Sequence, residues 1–162
     1  MKGFSLTELV IVVLITGILL LMVSPLVRNL LPPAHTASSA RRLSAVIMKL
    51  HSEAVFSGRT HFLRISIETG EYTGLAELSE GELVPAGDAG GKLLDGVYFV
   101  DAVIAGEKIR QGYADIIFMP SGMVSPAVIH IAGDEGSDIS LVIEGAMGRV
   151  RLVEGYFEET YR

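Results

Sequence analysis

Nineteen consecutive residues without a formal charge, Leu9 to Val27, follow a single carboxylate at Glu8 near the start of a 162-residue chain. As an α-helix they would rise roughly 28 Å, close to the ~30 Å hydrocarbon core of a bilayer. A cleaved secretory signal has an apolar run of only about 7 to 15 residues and then a small-x-small cleavage site. Here the run continues past Gly17, Ser24 and Pro25 to Arg28, and it reads as one retained membrane span. A plain anchor for an unrelated domain accounts for the apolar run. It leaves Glu8 unexplained, because a carboxyl group near hydrocarbon is costly without a partner.

Pro25 is expected to bend the first helix near its outer end, and Pro32-Pro33 to interrupt it. Roughly 130 residues follow, enough for one core but not for two. Thirteen basic residues against nineteen acidic ones, a formal net charge of −6, leave no general basic surface for nucleic acid. With no cysteine, a disulfide framework and a thiolate metal site are excluded.

Beyond the prolines, Leu43, Val46, Ile47, Leu50 and Ala54 recur at helical spacing, with Arg42, Lys49 and Glu53 mostly on other faces. The spacing predicts an amphipathic helix over about 37–56, ended by Gly58, with its apolar stripe against a sheet. Strands are then expected at 61–67, 72–75, 96–105, 114–119, 127–132, 139–144 and 149–153, separated by turns rich in Gly, Pro and Asp, with a turn or short strand at 106–111. The Gly- and acid-rich segment 77–92 reads as a surface excursion. No helices separate the later strands, so the fold class is α+β with antiparallel sheets rather than an α/β enzyme core.

Catalytic patterns are lacking, and the chain is not expected to be an enzyme or to bind a cofactor. His35, His51, His61 and His130 are scattered without a metal-binding spacing, and each reads as a surface or satisfied core histidine. Ser121-Gly122 is a turn rather than a nucleophile elbow, and no Gly-rich loop precedes a helix. Asp134, Glu135 and Asp138 lack the long loop and closing Glu of an EF-hand and read as a solvated turn.

The stretch Gly3-Phe4-Ser5-Leu6-Thr7-Glu8 resembles the class III signal of type IV pilins and type II secretion pseudopilins. The resemblance implies a short leader over 1–3, cut after Gly3 by a membrane prepilin peptidase that methylates the new terminus at Phe4, and a hydrophobic transmembrane and assembly helix over 4–31. A freed amine at Phe4, one helical turn from Glu8, would favour the ionised form of both groups. That amine belongs either to the same chain or to a neighbour. In a neighbour it would make Glu8 an assembly register, since sliding one helix past another would leave a buried charge unpaired; otherwise Glu8 sits at headgroup level. Lys2 precedes the span while Arg28, Arg41 and Arg42 follow it, so a count of positive charges alone would place the large domain in the cytoplasm. The resemblance implies the opposite: a single-pass protein of the bacterial inner membrane with its globular domain, 34–162, in the periplasm. Arg41 and Arg42 are expected on the exposed side of the second helix.

A second resemblance covers roughly 114–153. Ile117-Phe118-Met119-Pro120-Ser121-Gly122, the two strands after it, and Gly145-Ala146-Met147-Gly148-Arg149-Val150 look like the GspH/FimT-type domain of minor pseudopilins and minor pilins. The implied fold is type IV pilin-like, a long N-terminal transmembrane helix packed against antiparallel β-sheets. The implied function is that of a type II secretion minor pseudopilin H, a tip-proximal subunit of the periplasmic pseudopilus that supports protein export. Its expected partners are prepilin peptidase, the other minor and the major pseudopilins, an inner-membrane assembly platform and membrane lipid. The alternative is a type IV minor pilin of the FimT kind, which binds DNA for uptake through a Gly-Arg-x-Arg motif. Gly148-Arg149-Val150-Arg151 matches that motif and makes Arg149 and Arg151 the candidate DNA-binding residues. Glu144, Glu154, Glu158 and Glu159 weigh against it, because phosphate binding gains from several cations. Alternation of Arg149, Val150, Arg151 and Leu152 is equally that of a strand with one solvent and one core face.

Overall fold

The computed structural model describes residues 6–28, 34–78, 81–134, 136–146 and 148–158. Gly3 and Phe4, the Pro32-Pro33 interruption, Glu135, Met147 and Glu159 lie outside the described residues. Two compact units divide the chain, Met1–Pro32 and Pro33–Arg162.

The first unit is one helix, α1, over Leu6–Arg28; its backbone stays helical through position 25. Its side chains are described as far as Ile18, and among them Leu9 to Ile15 and Ile18 are exposed on every side. The Thr16 hydroxyl donates to the Val12 carbonyl at 2.7 Å, so this polar group is satisfied within the helix. Among the described residues no helix is long and apolar enough to cross a membrane.

The second unit begins with α2, Ala34–Ser57, three residues longer at its start than the periodicity predicts. Leu43, Ile47, Leu50 and Ala54 are fully buried, and Val46 packs beside them. Arg41 and Arg42 are exposed. Gly58, at φ 67°, ends the helix by donating its N–H to the Ala54 carbonyl at 3.1 Å, the left-handed stop that glycine takes at little cost.

Among the described residues nine strands follow, in two antiparallel sheets. The first sheet has the order β3-β2-β1-β6, with β1 at His61–Ser66, β2 at Glu71–Glu77, β3 at Leu83–Lys92 and β6 at Tyr113–Phe118. The second has the order β5-β4-β7-β8-β9, with β4 at Val97–Ile104, β5 at Glu107–Ile109, β7 at Ala127–Gly133, β8 at Ser137–Glu144 and β9 at Arg149–Glu154. The stripe of α2 lies against both sheets and meets Leu63, Ile65, Ile116, Phe118, Ile129, Ile131, Leu141 and Ile143 in a single core.

Segment 83–92 is a strand and not the surface excursion expected from its composition. Its register carries the correction. Tyr72 pairs with Gly91 and Thr73 with Gly90, and a bulge follows before Leu75 pairs with Pro85. Small residues permit this close approach: a Cβ on Gly74 would lie 2.7 Å from both the Ala89 carbonyl oxygen and Leu50 Cδ2. Edge position tolerates Pro85, which lacks a ladder donor, so the usual alternating pattern is absent.

Candidate functional site

Of the residues singled out from the sequence, Glu8 lies in the first turn of α1 and is exposed. A carboxylate there complements the helix dipole. Arg149 and Arg151 lie on β9, the outer strand of the second sheet, and both are exposed. They alternate with Val150, which packs on the core, and with Leu152, still 41% exposed at the edge that β9 forms among the described strands. The two arginines line an open groove of about 430 Å³ between β9 and α2, together with Met48, His51, Ser52, Glu144, Gly148 and Val150. Arg149 pairs in register with Glu144, but neither arginine forms an ion pair among the described residues. The Arg151 guanidinium instead lies 5.5 Å from the centre of the Phe157 ring.

His51 on α2 organises the end of this groove. Its Nε2–H donates to the Gly122 carbonyl at 2.9 Å, which fixes the tautomer because a carbonyl only accepts. On another side, a Cβ on Gly148 would lie 2.7 Å from His51 Cδ2. Gly122 and Gly148 both have positive φ, 85° and 60°. The Pro-Ser-Gly turn and the start of the Gly-Arg-Val-Arg run therefore converge on one imidazole. The glycine of the arginine motif is required by backbone conformation and by the ring packed on it, a role independent of any ligand.

The other histidines divide as surface or satisfied groups. His35 is exposed, and buried His61 uses Nδ1 to reach the Arg59 carbonyl at 3.0 Å. His130 is buried on β7 with Nδ1 2.6 Å from Asp101 Oδ1 on β4. Asp101 also accepts from the Tyr156 hydroxyl at 2.9 Å, and the Lys108 ammonium is 3.3 Å away. Burial pushes the Asp101 carboxyl up, but hydrogen bonds from His130, Tyr156 and Lys108, with the charge of His130, hold it below its ordinary range. Sequence reasoning did not foresee this cluster. Asp101 and His130 are 29 residues apart, and only the antiparallel register that pairs them in β4 and β7 brings them together.

No family model matches the sequence, and no curated protein matches it. Solved structures do. The minor pseudopilin EpsH from the type 2 secretion system of Vibrio cholerae superposes with a TM-score of 0.60 at 20% identity, covering 74% of this chain and 97% of that one. A crystal structure of the same protein gives 0.57 at 20% identity, covering 76% and 97%. The type IV minor pilin FimU of Pseudomonas aeruginosa gives 0.52 at 17% identity, covering 73% and 87%. The chain has the α+β, type IV pilin-like fold with antiparallel sheets, as the resemblance read from its two motifs implies.

Proposed function

We propose that the chain is a minor pseudopilin of a type II secretion system, a structural subunit near the tip of a periplasmic pseudopilus. The observation that carries this reading is α1: an apolar helix whose described side chains are exposed all round, with one carboxylate in its first turn. A helix apolar on every side belongs in a core or a bilayer. Taken with the full 19-residue uncharged run, α1 is the membrane stem, the short leader is cytoplasmic and the unit beyond Pro33 is periplasmic. Prepilin peptidase would free the Phe4 amine, and Glu8 would pair with such an amine as helices align in the filament. The sheet domain offers its surfaces to non-identical pseudopilins, and the assembly platform supplies the work. The subunit acts by assembly rather than by catalysis.

Likeness to a secretion pseudopilin along nearly the whole of that chain supports the secretion context over the pilus context. The minor-pilin reading has one specific observation in its favour, two exposed arginines that form no ion pair among the described residues and line an open groove. Against it, the chain beyond Pro33 carries 11 basic and 18 acidic residues, and two arginines release few counterions.

A chain beginning at Pro33 retains the second compact unit and separates the two readings. It is expected to bind the soluble domains of tip pseudopilins in titration calorimetry and to show no appreciable DNA affinity at about 0.15 M salt. Micromolar DNA binding that falls steeply with salt and vanishes in an Arg149→Ala, Arg151→Ala double variant would overturn the secretion reading in favour of DNA uptake.

A further inference from the structure

After β9 the chain reverses at Gly155, φ 85°, whose N–H donates to the Asp138 carbonyl at 2.7 Å. Residues 155–157 then lie across the outer face of the second sheet. The Ser140 hydroxyl donates to the Gly155 carbonyl at 2.6 Å and accepts the Phe157 N–H at 2.9 Å. Tyr156 stacks on the His130 imidazole with ring centres 3.9 Å apart. Val128, His130 and Ala132 alternate along β7 with the core residues Ile129 and Ile131, so they face away from α2, yet all three are buried.

The imidazole beneath this strap meets an acceptor at each ring nitrogen. Nδ1 is 2.6 Å from Asp101 Oδ1, and Nε2 is 2.9 Å from the Phe157 carbonyl oxygen. The carbonyl has no proton to give. Asp101 is held as a carboxylate, because hydrogen bonds from His130, Tyr156 and Lys108 outweigh the effect of burial and keep its carboxyl below the ordinary range. A neutral imidazole carries one N–H, and either tautomer would set a lone pair against an oxygen at one of these contacts. We infer that His130 is held as an imidazolium and acts as a charge-dependent latch, one N–H fastened to β4 and the other to the C-terminal strap. Loss of the proton leaves Nδ1–H on the carboxylate, the stronger acceptor, and breaks the bond to Phe157. The strap is then left to the Ser140 bridge and Tyr156 and opens more readily, moving the Phe157 ring away from Arg151.

Among the described residues, the titratable and charged groups on this face are Tyr98 and Asp101 of β4, Lys108 of β5, Asp138 of β8, Arg151 of β9 and Tyr156 of the strap, with exposed Glu158 next along the chain.

The test uses the full-length chain in detergent micelles, labelled with ¹⁵N-histidine. At about pH 6 both ring nitrogens of His130 should show a directly bonded proton, and as the pH is raised until one of them is lost the protection of the Phe157 amide against hydrogen exchange, corrected for the intrinsic rate, should fall about tenfold or more while β8 keeps its protection. A bare ring nitrogen at the lower pH, or Phe157 protection that does not change, would overturn the latch. His130→Gln should abolish the pH step. Ser140→Ala removes the hydroxyl bridge but leaves the imidazole in place, so its strap should be less protected at both pH values and should keep the step. Loss of the step in that variant would assign the strap to Ser140 and refute the inference.

Discussion

Gly148 lies against the imidazole of His51, and the contact joins a turn of the last hairpin to the final third of the long amphipathic helix. Two constraints meet at this glycine: φ of 60° and a ring edge where a Cβ would stand 2.7 Å away. Gly148→Ala is therefore expected to destabilise the domain by about 1–3 kcal/mol, from left-handed strain together with overpacking. Urea unfolding measures it. Adding His51→Ala removes the ring, so the alanine should cost less in that background than in the wild-type chain. Strict additivity of the two substitutions would show that ring and glycine are uncoupled.

Asp101 provides the second prediction. Its side chain is 4% exposed and its carboxyl is held below the ordinary range, so the fold gains stability from its ionised form. That gain is fully present above the unfolded carboxyl value of 3.8 and is lost as pH falls through the lower folded value. Asp101→Asn leaves His130 and Lys108 without their shared anion and should cost about 3 kcal/mol at neutral pH. The variant should also lose less stability than the wild-type chain on acidification below about pH 4, as denaturation midpoints across pH would report.

The turn between β4 and β5 holds Ala105 at φ 49° and Gly106 at φ 87°. Both central residues of this two-residue hairpin are left-handed, the type I′ geometry for which Asn-Gly is the favoured pair. Ala105→Asn should stabilise the domain by about 0.5–1 kcal/mol, read as a rise in the urea midpoint at unchanged slope.

Two predictions concern the stem. Mass spectrometry of membrane-extracted protein should find a methylated terminus at Phe4; an intact Met1 terminus, or one beyond Val27, would sink the processing reading. Replacing Gly3 by a bulky residue should block cleavage while insertion continues, because the apolar run is untouched.

Glu8→Ala should insert as well as the wild-type chain, since a costly polar group leaves the stem. Crosslinking to partner pseudopilins at equal expression should fall. Unchanged partner yields would return Glu8 to a headgroup-level role.

Periodicity made much of this fold legible. Leu43, Ile47, Leu50 and Ala54 announce α2 because a helix brings every third or fourth residue to one side, and all seven expected strands lie within two residues of their expected limits because Gly and Pro punctuate them. Strand β3 escaped detection for a local reason. Its Gly90, Gly91 and Pro85 fit an edge through close backbone approach, and an alternating hydrophobic pattern is not needed there.

The sequence by itself determined the local matters: the uncharged run with its lone carboxylate, the amphipathic helix, the strands that Gly and Pro punctuate and the positions of Arg149 and Arg151. Tertiary structure alone decided what those arginines stand beside, why Gly148 must be glycine, and that Asp101 and His130 share a buried site under the C-terminal strap. The physical reason is sequence separation. His51 meets Gly122 across 71 residues and His130 meets Phe157 across 27, and such contacts follow from sheet register and helix docking rather than from any spacing along the chain.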